Sequence, residues 1–381
     1  MVENPFVFGT VVSEEQFADR KNELRELISD LQSKTNVIIF SPRRYGKTSL
    51  IFQVINELQK KGIICAYIDL FSASNKERFA EIFATAIAQA KADKLEEILK
   101  TIKELIPPIR LTISADSTPE IGSGIGIEFT KGKKDVDATL GKLYDLPEKI
   151  AIKKKKKLVI VFDEFQEIAN LDGDEIEKSL RSKIQHHKHV SYVFMGSQRH
   201  LIDQIFNEKG RPLYRIGKPF NLGKIPPNEF SKFIESRFKS TGIKIAQDII
   251  LQILKITDSH PYYTQQLCHE LWNLCQYEDQ KMVKEEFLIS AVTQVMNNQN
   301  YAYTTMWAPL TKSQRSLLIG LAISNDSKIY SSEFRTKYGL GAASSVERAA
   351  KSLEEQGILE KERDDYVISD IFFKNWVTKI A

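Results

Sequence analysis

The segment Ser41-Pro42-Arg43-Arg44-Tyr45-Gly46-Lys47-Thr48 constrains the fold more than any other stretch of the chain. The short β-branched run Val37-Ile38-Ile39-Phe40 leads into it. Apolar residues at spacings of three and four (Leu50, Ile51, Val54, Ile55, Leu58) follow it. That is a strand, a polar loop and an amphipathic helix. Gly62 ends the helical pattern, and IICAYIDL (63–70) reads as the next strand. The unit is βαβ, which implies parallel pairing and a right-handed crossover. Against the pattern G-x-x-x-x-G-K-[ST], the loop matches at every fixed position but the first, where Ser41 replaces glycine. In such a loop the backbone N–H groups and the positive end of the helix dipole cradle phosphate oxygens. Pro42, Arg43, Arg44, Tyr45, Gly46, Lys47, Thr48 and Ser49 are then the phosphate-binding residues. Lys47 reaches the β and γ phosphates, the Thr48 hydroxyl ligates Mg²⁺, and Gly46 permits close backbone approach. Ser41 fits only if its position needs no glycine conformation. The bland alternative is a polar turn that matches by chance.

A second strand-end motif agrees with the first. The doubly buried run LVIVF (158–162) ends in Asp163 and Glu164. Asp163 at the strand end is suited to hold Mg²⁺ through water, and Glu164 to polarise an attacking water. The run SYVFM (191–195) is the last clear apolar strand, and Gly196-Ser197-Gln198-Arg199 follow it. Ser197 or Gln198 is placed to sense a γ-phosphate; the alternative is an ordinary polar strand-to-helix turn. The paired motifs imply a nucleoside triphosphatase.

Elsewhere the pattern divides the chain. Residues 76–106 read as helix, stopped by Pro107-Pro108, and a β-hairpin insertion follows at about 109–130 around Gly122-Ser123-Gly124. After about residue 224 helical patterns take over, at 227–240, 246–256, 260–277 and 283–298. Helices then read at 311–323, 331–338 and 342–356, before two strands with the tip Arg363-Asp364-Asp365. Helix, helix, helix, hairpin is the order of a winged helix-turn-helix. The expected domains are 1–223, 224–300 and 301–381.

Composition excludes several classes. With 381 residues, 54 Lys+Arg against 50 Asp+Glu, and a net charge of +4, the chain is neither a strongly basic nucleic-acid coat nor an acidic tail protein. At 42% hydrophobic residues it is not chiefly disordered. The N-terminus carries no signal-peptide pattern and no run of membrane-span length occurs, so the expectation is a cytoplasmic protein without a membrane segment. Cys65, Cys268 and Cys275 fit neither a disulfide framework nor a zinc site and read as reduced thiols. The His186, His187, His189 cluster reads as a polar turn, and the Lys153–Lys157 run as a solvated helix end or loop.

The strings SPRRYGKTSL, VIVFDEFQEI, YVFMGSQRHL with RPLYRIGKPF, and TDSHPYYTQQLC resemble those of the AAA+-related STAND-class ATPases often labelled archaeal-type ATPases, which also occur in bacteria. The HPYY and winged-helix portions are shared with the origin-recognition-type branch. The resemblance runs from Phe17-Ala18-Asp19-Arg20 to the terminal IFFKNWV. It implies an α/β P-loop sheet flanked by helices, an all-helical lid and a winged helix-turn-helix. ATP and Mg²⁺ are the implied ligands, lying between the α/β domain and the lid. Residue by residue, Asp19 and Arg20 resemble the end of the box that packs near adenine. Pro261, with Tyr262, resembles the lid proline over the base; a simple helix start explains Pro261 equally. Arg211 and Arg215 stand where such proteins carry an arginine finger, or are surface residues.

A winged helix invites a DNA-binding reading, through Arg335, Lys337, Arg348 and Lys351. Residues 307–381, however, hold 11 Lys+Arg against 10 Asp+Glu, a poor balance for phosphate neutralisation. The main expectation is therefore a slow ATP-hydrolysing switch acting on a protein partner or through self-association. The alternative is a DNA-binding regulator or loader in which ATP controls conformation.

Overall fold

The computed structural model describes residues 2–12, 17–18, 20–90, 109–113, 125–129, 136–324, 328–362 and 365–381. The chain folds as two compact units, Arg20–Gly223 and Met1–Asp19 with Lys224–Ala381.

The Arg20–Gly223 unit is built on a five-stranded sheet. Its strands are β1 (Val37–Phe40), β2 (Ile64–Asp69), β5 (Leu158–Asp163), β6 (Val190–Gly196) and β7 (Lys218–Asn221), in the spatial order β2-β5-β6-β1-β7. Every pairing is parallel. Strands β1, β5 and β6 are buried along their whole length, as expected when helices cover both faces of a parallel sheet. The helices are α1 (Lys21–Gln32), α2 (Lys47–Lys60), α3 (Lys76–Gln89), α4 (Val136–Lys154), α5 (Gly173–Ile184) and α6 (Arg199–Asn207). Helix α2 buries Leu50, Ile51, Val54, Ile55 and Leu58, the stripe its sequence spacing calls for. An aromatic stack fastens the central strands: the Phe162 ring lies 5.6 Å from Phe194 at 12°, 6.4 Å from Tyr192 and 5.9 Å from Phe83. Each such fully buried ring contributes roughly 1.5–3 kcal/mol, so the strand carrying Asp163 is held rigidly.

Two strands, β3 (Ile109–Ile113) and β4 (Ile125–Phe129), pair antiparallel in a separate ladder from Ile109↔Phe129 to Ile113↔Ile125. The Gly122-Ser123-Gly124 turn, the Pro107-Pro108 stop and positions 91–106 of the expected helix lie outside the described residues. Strand β7 has no counterpart in the sequence pattern, where SYVFM reads as the last clear strand. It is only four residues long and includes Pro219, which is tolerated because β7 lies at the sheet edge.

In the other unit, α7 (Pro227–Ser240), α8 (Gln247–Ile256), α9 (Pro261–Tyr277) and α10 (Glu285–Trp307) precede α11 (Lys312–Ile323), α12 (Ser332–Lys337) and α13 (Ala343–Glu355). Helix α10 runs past the expected end at 298 and through position 300. Thr311 and Gln314 form a reciprocal capping box that starts α11. Strands β8 (Leu359–Glu362) and β9 (Asp365–Ile368) pair antiparallel; the tip residues Arg363 and Asp364 lie outside the described residues. A further helix, α14 (Ile371–Ile380), buries Phe372, Phe373 and Val377. Helices and winged helix share one apolar cluster, which also takes in Phe6, 4.8 Å from the Phe238 ring. Among the described residues, no helix is long and apolar enough to cross a membrane.

Candidate active site

The loop between β1 and α2 ends in Gly46, which stands at the N-cap position of α2 with φ 83°. Only glycine adopts that backbone freely. The N-cap residue has no side chain to cap α2, and a helix N-terminus begun in this way suits an anion. Ser41 is not among the residues with positive φ. The position therefore needs no glycine, which explains how serine is accommodated there; its hydroxyl donates to the Pro42 carbonyl at 3.2 Å. Arg44 does take a left-handed backbone, at φ 64°.

Lys47 is buried, at 7% exposure. The Thr48 hydroxyl donates to Asp163 Oδ2 at 3.4 Å, and the Tyr67 hydroxyl donates to the same oxygen at 2.6 Å. Tyr67 comes from β2 and is held by the Phe52 ring of α2, 4.9 Å away. Sequence reasoning passed over Tyr67 because its role depends on β2 and β5 being neighbours, in the register Asp69↔Asp163. Burial pushes the Asp163 carboxyl above its usual range, against the pull of the Tyr67 hydrogen bond and the Lys47 ammonium.

Glu164 turns sharply away from the strand, at φ 49° and ψ 44°, a backbone unusual for a residue with a side chain. Its Oε2 accepts three hydrogen bonds: from Ser197 N at 2.9 Å, Ser197 Oγ at 2.8 Å and Gln166 Nε2 at 2.6 Å. Burial alone would raise its pKa. The Gln166 and Ser197 hydrogen bonds and the Lys47 charge outweigh it, so the carboxyl lies below its ordinary value and stays ionised at neutral pH. Because β6 runs between β1 and β5, Ser197 is delivered between the phosphate loop and the carboxylates. Gln198, the other candidate, is at the N-cap of α6, and no side-chain hydrogen bond caps that helix.

Arg20 is 2% exposed. Its guanidinium donates to the Tyr45 carbonyl at 3.1 Å and the Gly223 carbonyl at 2.8 Å, and pairs with Glu23 at 3.2 Å. Its structural work is thus to tie the phosphate loop to the segment after β7. Removing it strands two carbonyls, so Arg20→Ala is expected to lower stability by about 3 kcal/mol in denaturant unfolding. An unchanged midpoint would refute this. Asp19 lies outside the described residues. Arg211 pairs with Asp174 at 3.2 Å and with Glu177, both on α5. Burial pushes the Glu177 carboxyl up to about 7 despite Arg211. Arg215 is exposed, with its guanidinium 5.2 Å from the Tyr214 ring centre.

In the other unit, Pro261 occupies the first turn of α9, and the Tyr262 N–H donates to His260 Nδ1 at 3.2 Å. The Tyr262 ring packs edge-on against Phe8 at 5.7 Å. On the winged helix, Arg335 spends its guanidinium on the Tyr330 and Gly341 carbonyls, each at 3.2 Å. Lys337, Arg348 and Lys351 are exposed. His187 meets the Tyr192 hydroxyl at 2.7 Å and His189 meets Glu148 at 2.7 Å. Burial pushes Cys65 up to about 12 and Cys275 up to about 11, as for inert thiols.

The Thr48 hydroxyl and Asp163 carboxylate are hard oxygen donors already in contact, which suits Mg²⁺, an ion that takes few protein oxygens and completes its shell with water and phosphate. Among the described residues no group of three or more His, Cys, Asp or Glu could hold a metal.

A family model described as "ATPase domain predominantly from Archaea" matches residues 17–267, and one described as "Probable winged helix domain" matches residues 301–379. No curated protein matches. Among solved structures, the chain is similar to a Walker-type ATPase of Pyrococcus abyssi, with TM-score 0.64 and 16% identity over 98% of this chain and 99% of that one. It is also similar to the Aeropyrum pernix ORC2 protein in ADPNP and ADP complexes, with TM-score 0.59 and 13% identity over 99% of this chain and 96% of that one. The Aeropyrum pernix ORC1 protein in complex with DNA gives TM-score 0.51 and 14% identity, over 99% of this chain and 98% of that one. At these identities the likeness is one of fold.

Proposed function

The chain belongs to the family of ATPase domains found predominantly in Archaea, and from that premise we propose that it is a slow, Mg²⁺-dependent ATPase working as a conformational switch of the AAA+/STAND type. The observation that carries the reading is the convergence of Lys47, Thr48, Asp163, Glu164 and Ser197 at the C-terminal ends of β1, β5 and β6. Ligands of open parallel sheets bind at that end.

The α2 N-terminus and Lys47 hold the β and γ phosphates. Thr48 and Asp163 hold Mg²⁺, which when bound neutralises charge on the phosphates. Glu164 Oε1 accepts the proton of the attacking water, and Ser197 keeps the carboxylate facing it. The test is ATP turnover by the full chain with and without Mg²⁺, alongside nucleotide affinity measured by calorimetry. Absence of Mg²⁺-dependent phosphate release sinks the enzymatic reading. Unchanged hydrogen exchange in the helical and winged-helix portion between ATP and ADP sinks the switch.

A second reading, duplex DNA as partner, draws support from exposed Lys337, Arg348 and Lys351 on a winged helix and from the fold shared with the DNA-bound ORC1 protein. The near-neutral charge of this module sets the expectation: weak, salt-sensitive binding of about 10⁻⁴–10⁻⁶ M, with ATP turnover unaffected by Arg348→Glu. Sub-micromolar binding that this substitution destroys would make DNA the partner.

A further inference from the structure

Gln166 stands two residues beyond Glu164, in the 3₁₀ segment Phe165–Leu171, and at 2% exposure is buried as deeply as the aliphatic core. Its neighbours fix its backbone. Phe165 and Ile168 are fully buried, and the Phe165 ring lies 4.8 Å from Phe194 and 5.5 Å from Phe206. Its amide N–H donates to Glu164 Oε2 at 2.6 Å, while its own Oε1 is buried without a protein hydrogen-bond partner. A buried acceptor left unpaired is unfavourable. Rotating the amide would turn that oxygen against the carboxylate, so the N–H to Glu164 contact is what keeps the group in this orientation.

Gly196 makes the room. A Cβ at that position would fall 1.9 Å from Gln166 Oε1 and 2.9 Å from Ile202 Cδ1. The glycine at the end of β6 therefore serves close packing, above all of the amide beside it and then of Ile202, and not a backbone conformation, since its φ is not positive. All three donors converge on Glu164 Oε2, and no hydrogen bond among the described residues engages Oε1. The carboxylate is thus pinned by one oxygen with the other left to act.

We propose that Gln166, seated against Gly196, is a positioning residue for the general base: it pins Glu164 through Oε2 so that Oε1 faces the water that attacks the γ-phosphate. The proposal rests on the ATPase reading above. Ser197 alone supplies two donors from one side; Gln166 supplies the third from its own rigid segment and removes the remaining rotation of the carboxylate about its last side-chain bond.

The experiment is steady-state ATP hydrolysis by the full chain carrying Gln166→Met, which keeps the length and loses the donor. The expected result is a kcat lower by about ten- to a hundredfold, with KM and calorimetric nucleotide affinity unchanged. Gly196→Ala, which displaces the amide from the other side, is expected to lower kcat likewise. In a Glu164→Gln background, adding Gln166→Met is expected to change the residual rate no further. A merely structural role predicts the opposite: an equal loss in both backgrounds, with weakened nucleotide binding. An unchanged kcat in Gln166→Met, or an equal loss in the Glu164→Gln background, overturns the proposal. Turnover that survives Lys47→Ala overturns the ATPase reading itself, whereas turnover that needs Lys47 but ignores Gln166 overturns this inference alone.

Discussion

Lys47→Ala is expected to abolish ATP turnover and to weaken nucleotide binding by at least about a hundredfold. Lys47 is nearly buried, at the first position of α2, and its ammonium acts electrostatically on both Asp163 and Glu164. In a water-poor site that charge is screened little, so its loss falls on the phosphates directly. The same substitution leaves the buried Asp163 and half-buried Glu164 carboxylates without the cation that acts on both, which further disfavours an incoming anion. Arginine is not expected to restore activity, since its broad planar fork does not replace a compact ammonium at a nearly buried position. Phosphate release by the alanine variant within tenfold of the parent chain would show that the loop is not the phosphate site.

Glu164→Gln is expected to slow hydrolysis by about 10²–10⁴-fold while leaving nucleotide affinity near that of the parent chain. The geometry makes the substitution a clean one. An amide carbonyl can sit in the Oε2 place and accept all three hydrogen bonds from Ser197 and Gln166. Its NH₂ then occupies the Oε1 place, where a proton acceptor is required. Binding is retained and proton transfer is lost, so the variant accumulates bound ATP. Single-turnover hydrolysis beside an equilibrium binding measurement separates the two effects. Equal loss of binding and hydrolysis would mean that Glu164 supports the loop rather than the reaction.

What the sequence disclosed, and what it hid, follows from the range over which each residue acts. Lys47 and Thr48 belong to a contiguous strand-loop-helix, and Asp163 and Glu164 end a run of five apolar residues, so their chemistry is written locally. Tyr67 and Gln166 are different. Tyr67 matters only because β2 lies beside β5. Gln166 matters only because a 3₁₀ turn folds it back on Glu164 beside a glycine thirty residues later in the chain. A signal did exist, a lone amide between the buried apolar residues Phe165 and Ile168 immediately after two carboxylates, but DEFQE also reads as an ordinary surface turn. Arg20 illustrates a third case. Only the family resemblance singled it out, as a residue near the adenine, and its bonds to Glu23 and to the carbonyls of Tyr45 and Gly223 depend on segments distant in the chain.

The short edge strand β7 bears on how copies of the chain meet. Lys218 N and Leu222 N donate inward, to the Asn36 and Phe40 carbonyls. Strand backbones alternate, so the odd-numbered positions of β7 face away from the sheet, and one of the two is Pro219, which has no N–H to offer. The rim of the sheet at β7 is therefore short and missing a donor, a poor template for an added strand. Continuation of the sheet past β7, from one molecule into the next, is thereby disfavoured.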